Sequence, residues 1–187
     1  VPGTTATGAR QLKITNGSGK STVNGLSYHV IGSSMPAFPA NAVIDNFNRS
    51  NGALGASWAG STAQTLFRID GNNVQVRALG GNIYRSGGSE NYGADQEAYL
   101  TFSKALAGNN RQGGLLLKVD TGGLGVINRY ISVKYNATTS SVIVATAANA
   151  IQALAPIVQG TIPGVTFAVN DQLGARVLAN GVVSVYK

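Results

Sequence analysis

Apolar and polar residues alternate along much of this chain, and the alternation is clearest near its end. Between Val165 and Lys187, apolar side chains recur at every second position, interrupted at Asn170–Asp171 and at Asn180–Gly181. The residues of these three runs are Val165, Phe167 and Val169, then Leu173, Ala175 and Val177, then Val183 and Val185. A period of two is typical of strands that bury one face, and such polar pairs are typical of the turns between them. The segment is therefore predicted to form an antiparallel meander.

The same spacing upstream predicts an all-β protein. The other apolar residues expected in the two facing layers are Phe67, Ile69, Val74, Val76, Tyr99, Phe102, Leu115, Leu117, Val119, Ile131, Val133, Tyr135, Val142 and Val144. Turns are expected at glycine-containing pairs such as Gly71–Asn72, Gly113–Gly114 and Gly122–Gly123. The apolar run from Val142 to Val158 is too short and too polar for a membrane span. It predicts a strand over 141–145 followed by a loop or by a short helix over 147–154. The predicted fold class is an antiparallel β-sandwich.

Three parts follow one another along the chain. Residues 1–31 predict two strands, Arg10–Thr15 and Leu26–Ile31, which cannot bury a core alone. Residues 32–42 are expected to be a linker, because Pro36 and Pro39 interrupt any strand ladder there. Residues 43–187 contain the strands of the predicted sandwich.

Short motifs in the first and third parts resemble known families. The residues Val1, Pro2, Gly8, Leu12, Ile14, Asn16, Gly17, Leu26, Tyr28 and Val30 resemble the closing strands of an IPT/TIG immunoglobulin-like domain. The segment VIDNFNRSNGALGASW (43–58), with FRIDGNNVQV (67–76), GADQEAYLTF (93–102) and the ending FAVNDQLGARVLANGVVSVYK (167–187), resembles concanavalin A-like, laminin-G-like lectin and glucanase jelly rolls of bacterial surface and phage appendage proteins. The resemblance implies a jelly roll preceded by a partial immunoglobulin-like unit, both cut from a longer polypeptide.

Composition favours an extracellular setting. Charged residues make up only 11% of the chain, against about a quarter in an average domain, and 25 glycines accompany many Ser, Thr and Asn. The net charge is +7, but no two of the fourteen Lys and Arg residues are adjacent, which indicates a solvated surface and not a nucleic-acid site. The absence of cysteine excludes disulfides and thiol chemistry. The expected location is extracellular, on a cell surface or on a virion.

Motifs for catalysis are incomplete. GSGKST at 17–22 lacks the first glycine of a phosphate-binding loop, because Ile14 stands in its place. His29 is the single histidine and has no nearby carboxylate to complete a triad or a metal site. A glucanase needs two close carboxyl groups, and the nearest candidates, Asp95 and Glu97, lack the Glu-x-Asp-x-Glu spacing of the lectin-like enzymes. We therefore expect a protein that is not an enzyme, with polysaccharide hydrolysis as an alternative.

Binding sites are suggested in two places. Tyr84, Arg85, Glu90, Asn91 and Tyr92 surround a glycine-rich loop and are the candidate glycan-binding residues, whereas Trp58 is expected in the core. The alternative is a surface loop with one tyrosine packed on the sheet. No cofactor or metal site is predicted, although calcium stays open. Its candidate ligands are Asp70, Asn72, Asp120 and Asp171, which turn geometry explains equally well.

Two functions from different classes follow. The first is a structural module of a phage tail, fibre or capsid decoration, assembled with other copies or subunits and able to contact glycans on a host surface. The second is a bacterial extracellular carbohydrate-binding module. Neither requires a specific nucleic acid or insertion into a membrane.

Overall fold

A computed structural model describes residues 37–78, 81–85, 92–107, 111–121 and 127–187. The predicted strands of residues 1–31, the GSGKST segment and His29 lie outside the described residues, as do residues 32–36 of the predicted linker. Within the described part, the chain forms eleven strands and one short helix. The strands are β1 Trp58–Gly60, β2 Phe67–Asp70, β3 Asn73–Val76, β4 Ile83–Arg85, β5 Gln96–Thr101, β6 Gln112–Asp120, β7 Arg129–Asn136, β8 Ser141–Ala147, β9 Ile157–Pro163, β10 Gln172–Val177 and β11 Val183–Tyr186. The helix is α1 Ala150–Leu154.

The strands pair antiparallel, which confirms the predicted all-β fold class. One sheet has the order β11-β10-β5 and another has the order β6-β7-β8-β9. Two smaller pairs are β2 with β3 and β1 with β4, and Gly52 forms an isolated bridge with Ile69 of β2. The β10–β11 hairpin turns at Asn180–Gly181 as predicted, and Gly181 has the positive φ of 84° that such a turn favours.

The main core lies between the three-stranded and the four-stranded sheets. On β10, Leu173, Ala175 and Val177 are completely buried, in agreement with the predicted alternation. The other buried members of this core are Phe102, Leu115, Leu117, Val133, Tyr135, Val142, Val144, Ile162, Phe167, Val183 and Val185. At about 1.5–3 kcal/mol for each large apolar side chain that is removed from water, this core is the main source of stability.

A bulge in β6 links the two sheets. Lys118 has a φ of 52°, at the irregularity between Leu117 and Asp120. Its backbone N–H donates to Oε1 of Gln96 at 2.6 Å, and its ammonium group donates to the Leu178 carbonyl at 2.8 Å. The bulge therefore directs Lys118 of the four-stranded sheet toward β5 and the end of β10, where it forms these two hydrogen bonds.

Several sequence predictions are wrong in detail. Residues 165–169 form no strand, because Gly164 turns the chain at φ 70° and the Val165 N–H donates to the Ser140 carbonyl. Phe167 is nevertheless buried, since it packs against Phe102 and Tyr135. The turn predicted at Gly113–Gly114 is instead part of β6, where a side chain on Gly114 would collide with the backbone of β7.

A second, smaller core contains residues that were predicted to lie in the main one. Leu54, Phe67 and Ile69 are buried together, and Trp58 and Val74 pack against them half-buried. Val76, which was expected inside, is 41% exposed at the end of β3. The period-two pattern shows which face of a strand is apolar, but it does not show which cluster that face joins.

The helix covers part of the outer face of the four-stranded sheet. It is shorter than predicted, because β8 continues to Ala147 and Asn149 caps the helix by accepting from the Gln152 N–H. The Tyr130 hydroxyl donates to the Ala153 carbonyl at 3.0 Å, and burial raises the pKa of this tyrosine. Among the described residues, no helix has the length and apolar character needed to span a membrane.

Candidate functional site

In the segment 43–58, the pattern Asp-x-Phe-x-Arg at 45–49 and the tryptophan at 58 converge on one carboxylate. Asp45 accepts hydrogen bonds from the Phe47 N–H, from Nη1 of Arg49 and from Nε1 of Trp58, each at 2.8 Å. Arg49 also donates to the Leu54 carbonyl. Burial opposes the charge on Asp45, but the three hydrogen bonds and the Arg49 charge outweigh it and lower its pKa to about 2. The motif therefore holds the start of the sandwich together, with Trp58 half-buried in the second core.

The predicted glycan-binding residues fall partly outside the described residues, as Glu90 and Asn91 do. Tyr84 and Arg85 are neighbours on β4, so their side chains point to opposite faces. The Arg85 guanidinium lies 5.8 Å from the centre of the Trp58 ring, whereas the Tyr84 ring lies beside Gly60 of β1. Tyr92 is 47% exposed. The glycan-binding rim stays a prediction, and its clearest described feature is the exposed Tyr92 ring.

The two carboxyl groups considered for hydrolysis have separate partners. Asp95 precedes β5 and accepts from the Ala179 N–H. Glu97 lies on β5, where its side chain is only 5% exposed and forms an ion pair with the equally buried Arg176 of β10. One oxygen of Glu97 accepts from Nε of Arg176 at 2.7 Å and from a second guanidinium nitrogen.

The other oxygen of Glu97 binds the segment that leads into the sandwich. Oε1 accepts from the Ala40 N–H at 2.6 Å and from the Asn41 N–H at 3.4 Å. A buried carboxylate needs such partners to offset the loss of water. Both oxygens of Glu97 are therefore engaged in holding parts of the chain together.

Residues 37–41, called the clasp segment below, lie on the outer face of the three-stranded sheet. The Phe38 ring stacks on Tyr186 of β11, with ring centres 4.0 Å apart and planes at 10°, and meets the edge of Tyr99 of β5 at 6.3 Å. Between these two strands, Gly174 of β10 leaves room for the ring, because a Cβ there would overlap it. The Arg176 guanidinium lies 5.9 Å from the Phe38 ring centre. Gly174, Tyr186, Tyr99, Arg176 and Glu97 together form a seat for the clasp segment.

Sequence reasoning missed this seat. It treated Phe38 as part of a linker and expected charged side chains on strands to face water. Two signals were present: a glycine between the apolar residues Leu173 and Ala175 of the predicted strand, and a charged residue two positions after it on the same face. Both indicate that something covers the outward face of β10.

The calcium candidates are spread over separate parts of the fold. Asp70, Asp120 and Asp171 each pair with a cation, namely Arg68 at 2.9 Å, Arg129 at 3.9 Å and Lys187 at 3.0 Å. Asn72 occupies a turn with φ 61°. The Ala168 N–H and Lys187 lower the pKa of Asp171. The described residues contain no cluster of three His, Cys, Asp or Glu side chains suited to a metal, and calcium binding stays an open prediction.

The chain matches no protein-family model, no curated protein and no solved structure. The resemblances to immunoglobulin-like and lectin-like families therefore stay predictions that depend on the motif residues.

Proposed function

We propose that this protein is a non-enzymatic structural module of a larger surface assembly, of the kind found in phage tails, fibres and capsid decorations. The observation that supports this proposal most is the seat for the clasp segment. A module that sets the position of its neighbours needs a fixed connection to the chain that enters it.

The connection is specific in three ways. The Phe38 ring fits where Gly174 has no side chain, so the fit depends on shape. The two backbone N–H groups of Ala40 and Asn41 bind one buried carboxylate oxygen, so the path of the main chain is fixed as well. Arg176 lies over the ring and completes the ion pair with Glu97, so the aromatic and polar contacts depend on each other.

The use of Glu97 also weighs against the hydrolase alternative. A general acid or a nucleophile on this strand has to face substrate, whereas Glu97 is buried beneath the clasp segment and bound to a guanidinium. The few charges and many small polar residues of the chain agree with a surface that works outside the cell.

Mass spectrometry of the native particle tests this function. The source material is fractionated by size, and the tryptic peptides of this chain are followed across the fractions. We expect the peptides in a large, regular assembly, within a polypeptide heavier than the 19.1 kDa of this sequence. A free 19.1-kDa monomer outside any particle would contradict the proposal.

Glycan binding is a second candidate function, and the exposed ring of Tyr92 supports it. An aromatic face can stack on the apolar face of a sugar while hydrogen bonds come from its surroundings. A glycan array is the test, with Tyr92→Ala as the disruptive variant and Tyr92→Phe as the control that keeps the ring. Equal binding by both variants would exclude Tyr92 as the stacking residue.

A further inference from the structure

An exposed apolar surface lies where the helix joins the edge of the four-stranded sheet. Ile151 and Leu154 of α1 are 82% and 89% exposed, and Ile157 and Val158 of β9 are 50% and 58% exposed. These four residues, called the apolar edge below, lie within eight consecutive positions. Isolated exposed apolar residues are common, but four large ones in one short stretch indicate a contact surface.

The strand beside them is also open for pairing. Within the described residues, β9 pairs with β8 only, so no described strand binds the N–H and C=O groups on its other side. Natural proteins usually protect such an edge with charged residues, most often lysine. β9 has the sequence IVQGTIP and contains no charge. Its described protection consists of Pro156 before the strand, Pro163 at its end and one bulge at Gln159.

The lack of charged residues around this edge favours a second copy of the chain as the partner. The protein carries a net charge of +7, yet no charged residue occurs from Tyr135 to Asn170, the stretch that includes β8, α1 and β9. Two copies can therefore meet at this edge with no like charges at the contact. An acidic partner would find no basic side chain there, and its charge would be desolvated without compensation.

We propose that a second copy of this chain pairs with the protein through β9, edge to edge and antiparallel. Such a contact is self-complementary and closes as a two-fold dimer. The axis lies between Gly160 and Gln159, which is the bulge residue in the pairing of β9 with β8. Ile157 of each copy then lies opposite Ile162 of the other, and Val158 lies opposite Thr161. The two four-stranded sheets become one sheet of eight strands, with the apolar residues of both α1 helices beside the new pair.

The size of the contact agrees with a weak, specific dimer. Six paired residues at about 3.3 Å each give a contact about 20 Å long. A strip of that length, and about as wide as a sheet plus its covering helix, is on the order of 400–500 Å² on each copy. The total approaches the ~1,000 Å² that specific interfaces need, at the small end of their range. The identity of the partner rests on the proposed function, in which copies assemble.

Sedimentation velocity of the full 187-residue chain, from about 1 µM to 1 mM, tests the dimer. We expect a reversible monomer–dimer equilibrium with a dissociation constant in the micromolar range. Val158→Lys places a charge on the edge, and Leu154→Lys places one on the helix, where the 89% exposed side chain has no folding role. Each should raise the dissociation constant about tenfold or more. Val169→Lys is the matched control, because Val169 is 51% exposed and lies in the turn before β10, and it should leave the constant unchanged.

Circular dichroism shows whether each variant is folded. If Val158→Lys does not fold, Leu154→Lys decides the test. A monomer over the whole range would overturn the dimer, as would a dimer that Val169→Lys weakens as much as Leu154→Lys. The proposed function is tested separately, by mass spectrometry of the native particle, so its failure can be told apart from failure of the dimer. A monomeric chain within a large assembly would overturn the self-pairing alone, whereas a dimer outside any assembly would overturn the function alone.

Discussion

Replacing Gly174 with alanine should destabilise the protein, and the sign of the effect should reverse when Phe38 is absent. The added methyl group would overlap the Phe38 ring, which stacks 4.0 Å from Tyr186. Gly174 has no positive φ, so its backbone accepts alanine without strain. The clasp segment must therefore leave its seat, and the cost is the free energy with which Phe38 holds it there.

The magnitude of that cost follows from the contacts of Phe38. Burial of a half-buried phenylalanine contributes about 1–2 kcal/mol, and the stacked pair with Tyr186 adds about 0.5–1.5 kcal/mol. Fixing the side chain costs about 0.5–1 kcal/mol of rotamer entropy. Phe38→Ala should thus lower the free energy of unfolding by about 2 kcal/mol. Gly174→Ala should lower it by about 1–1.5 kcal/mol, because the entropy gained by alanine offsets part of the same loss. In the Phe38→Ala background, Gly174→Ala should raise it by about 0.5–1 kcal/mol, because alanine loses less entropy than glycine in a strand.

Urea denaturation of the wild type, both single variants and the double variant measures this cycle. With a slope of about 2 kcal/mol per molar urea, Phe38→Ala should shift the midpoint by about 1 M and Gly174→Ala by about 0.5–0.8 M. Circular dichroism and the fluorescence of Trp58, the single tryptophan, should give coincident transitions. If Gly174→Ala is neutral in the wild type, or has the same effect with and without Phe38, the inferred seat is wrong.

Two further predictions concern buried charges. Glu97→Ala leaves the Arg176 charge buried without its carboxylate and should lower the free energy of unfolding by about 3–5 kcal/mol. Urea denaturation measures it, and a loss below about 1 kcal/mol would contradict a structural ion pair. The folded-state pKa of Asp45 is lowered from 3.8 to about 2, so its contribution is present above pH 4 and lost as the pH falls through about 2. It amounts to about 2 kcal/mol, and Asp45→Asn should remove this part of the pH dependence between pH 5 and 2, as urea midpoints at each pH would show. Parallel pH profiles for the two proteins would refute it.

Local patterns were sufficient where one strand face was buried and the other was not. The alternation of Leu173, Ala175 and Val177, and the turn at Asn180–Gly181, were predicted correctly because each depends on neighbouring residues only. The prediction failed at Val165–Val169, where the spacing of a strand is present but Gly164 and the bond to Ser140 direct the chain elsewhere. The spacing of apolar residues indicates which side chains are buried, but it does not prove that they belong to a strand. Phe167 is buried although its segment is not a strand.

The clasp seat was beyond a local reading because its parts are distant in sequence. Glu97, Arg176 and the clasp segment are brought together by the pairing of β5 with β10, in which Arg176 lies opposite Glu97. A single charged residue at an outward strand position, such as Arg176, predicts an exposed side chain. Only the pairing of β5 with β10 supplies Glu97, the partner that offsets the cost of burying the charge. The candidate glycan-binding rim shows the reverse case, in which residues close in sequence do not share a surface. Tyr84 and Arg85 are consecutive on β4, so their side chains point to opposite faces.

The two large sheets differ in how their outer faces are covered, and this difference supports the inferred dimer. The clasp segment seals the three-stranded sheet with an ion pair, an aromatic stack and main-chain hydrogen bonds, so the polar groups beneath it have partners. Helix α1 covers the four-stranded sheet with one tyrosine hydrogen bond and leaves Ile151 and Leu154 facing outward. A helix this short contributes little helical stability of its own. Its apolar residues gain a packing partner only if another surface meets them, and the open, uncharged edge of β9 beside them is the surface that a second copy would bring.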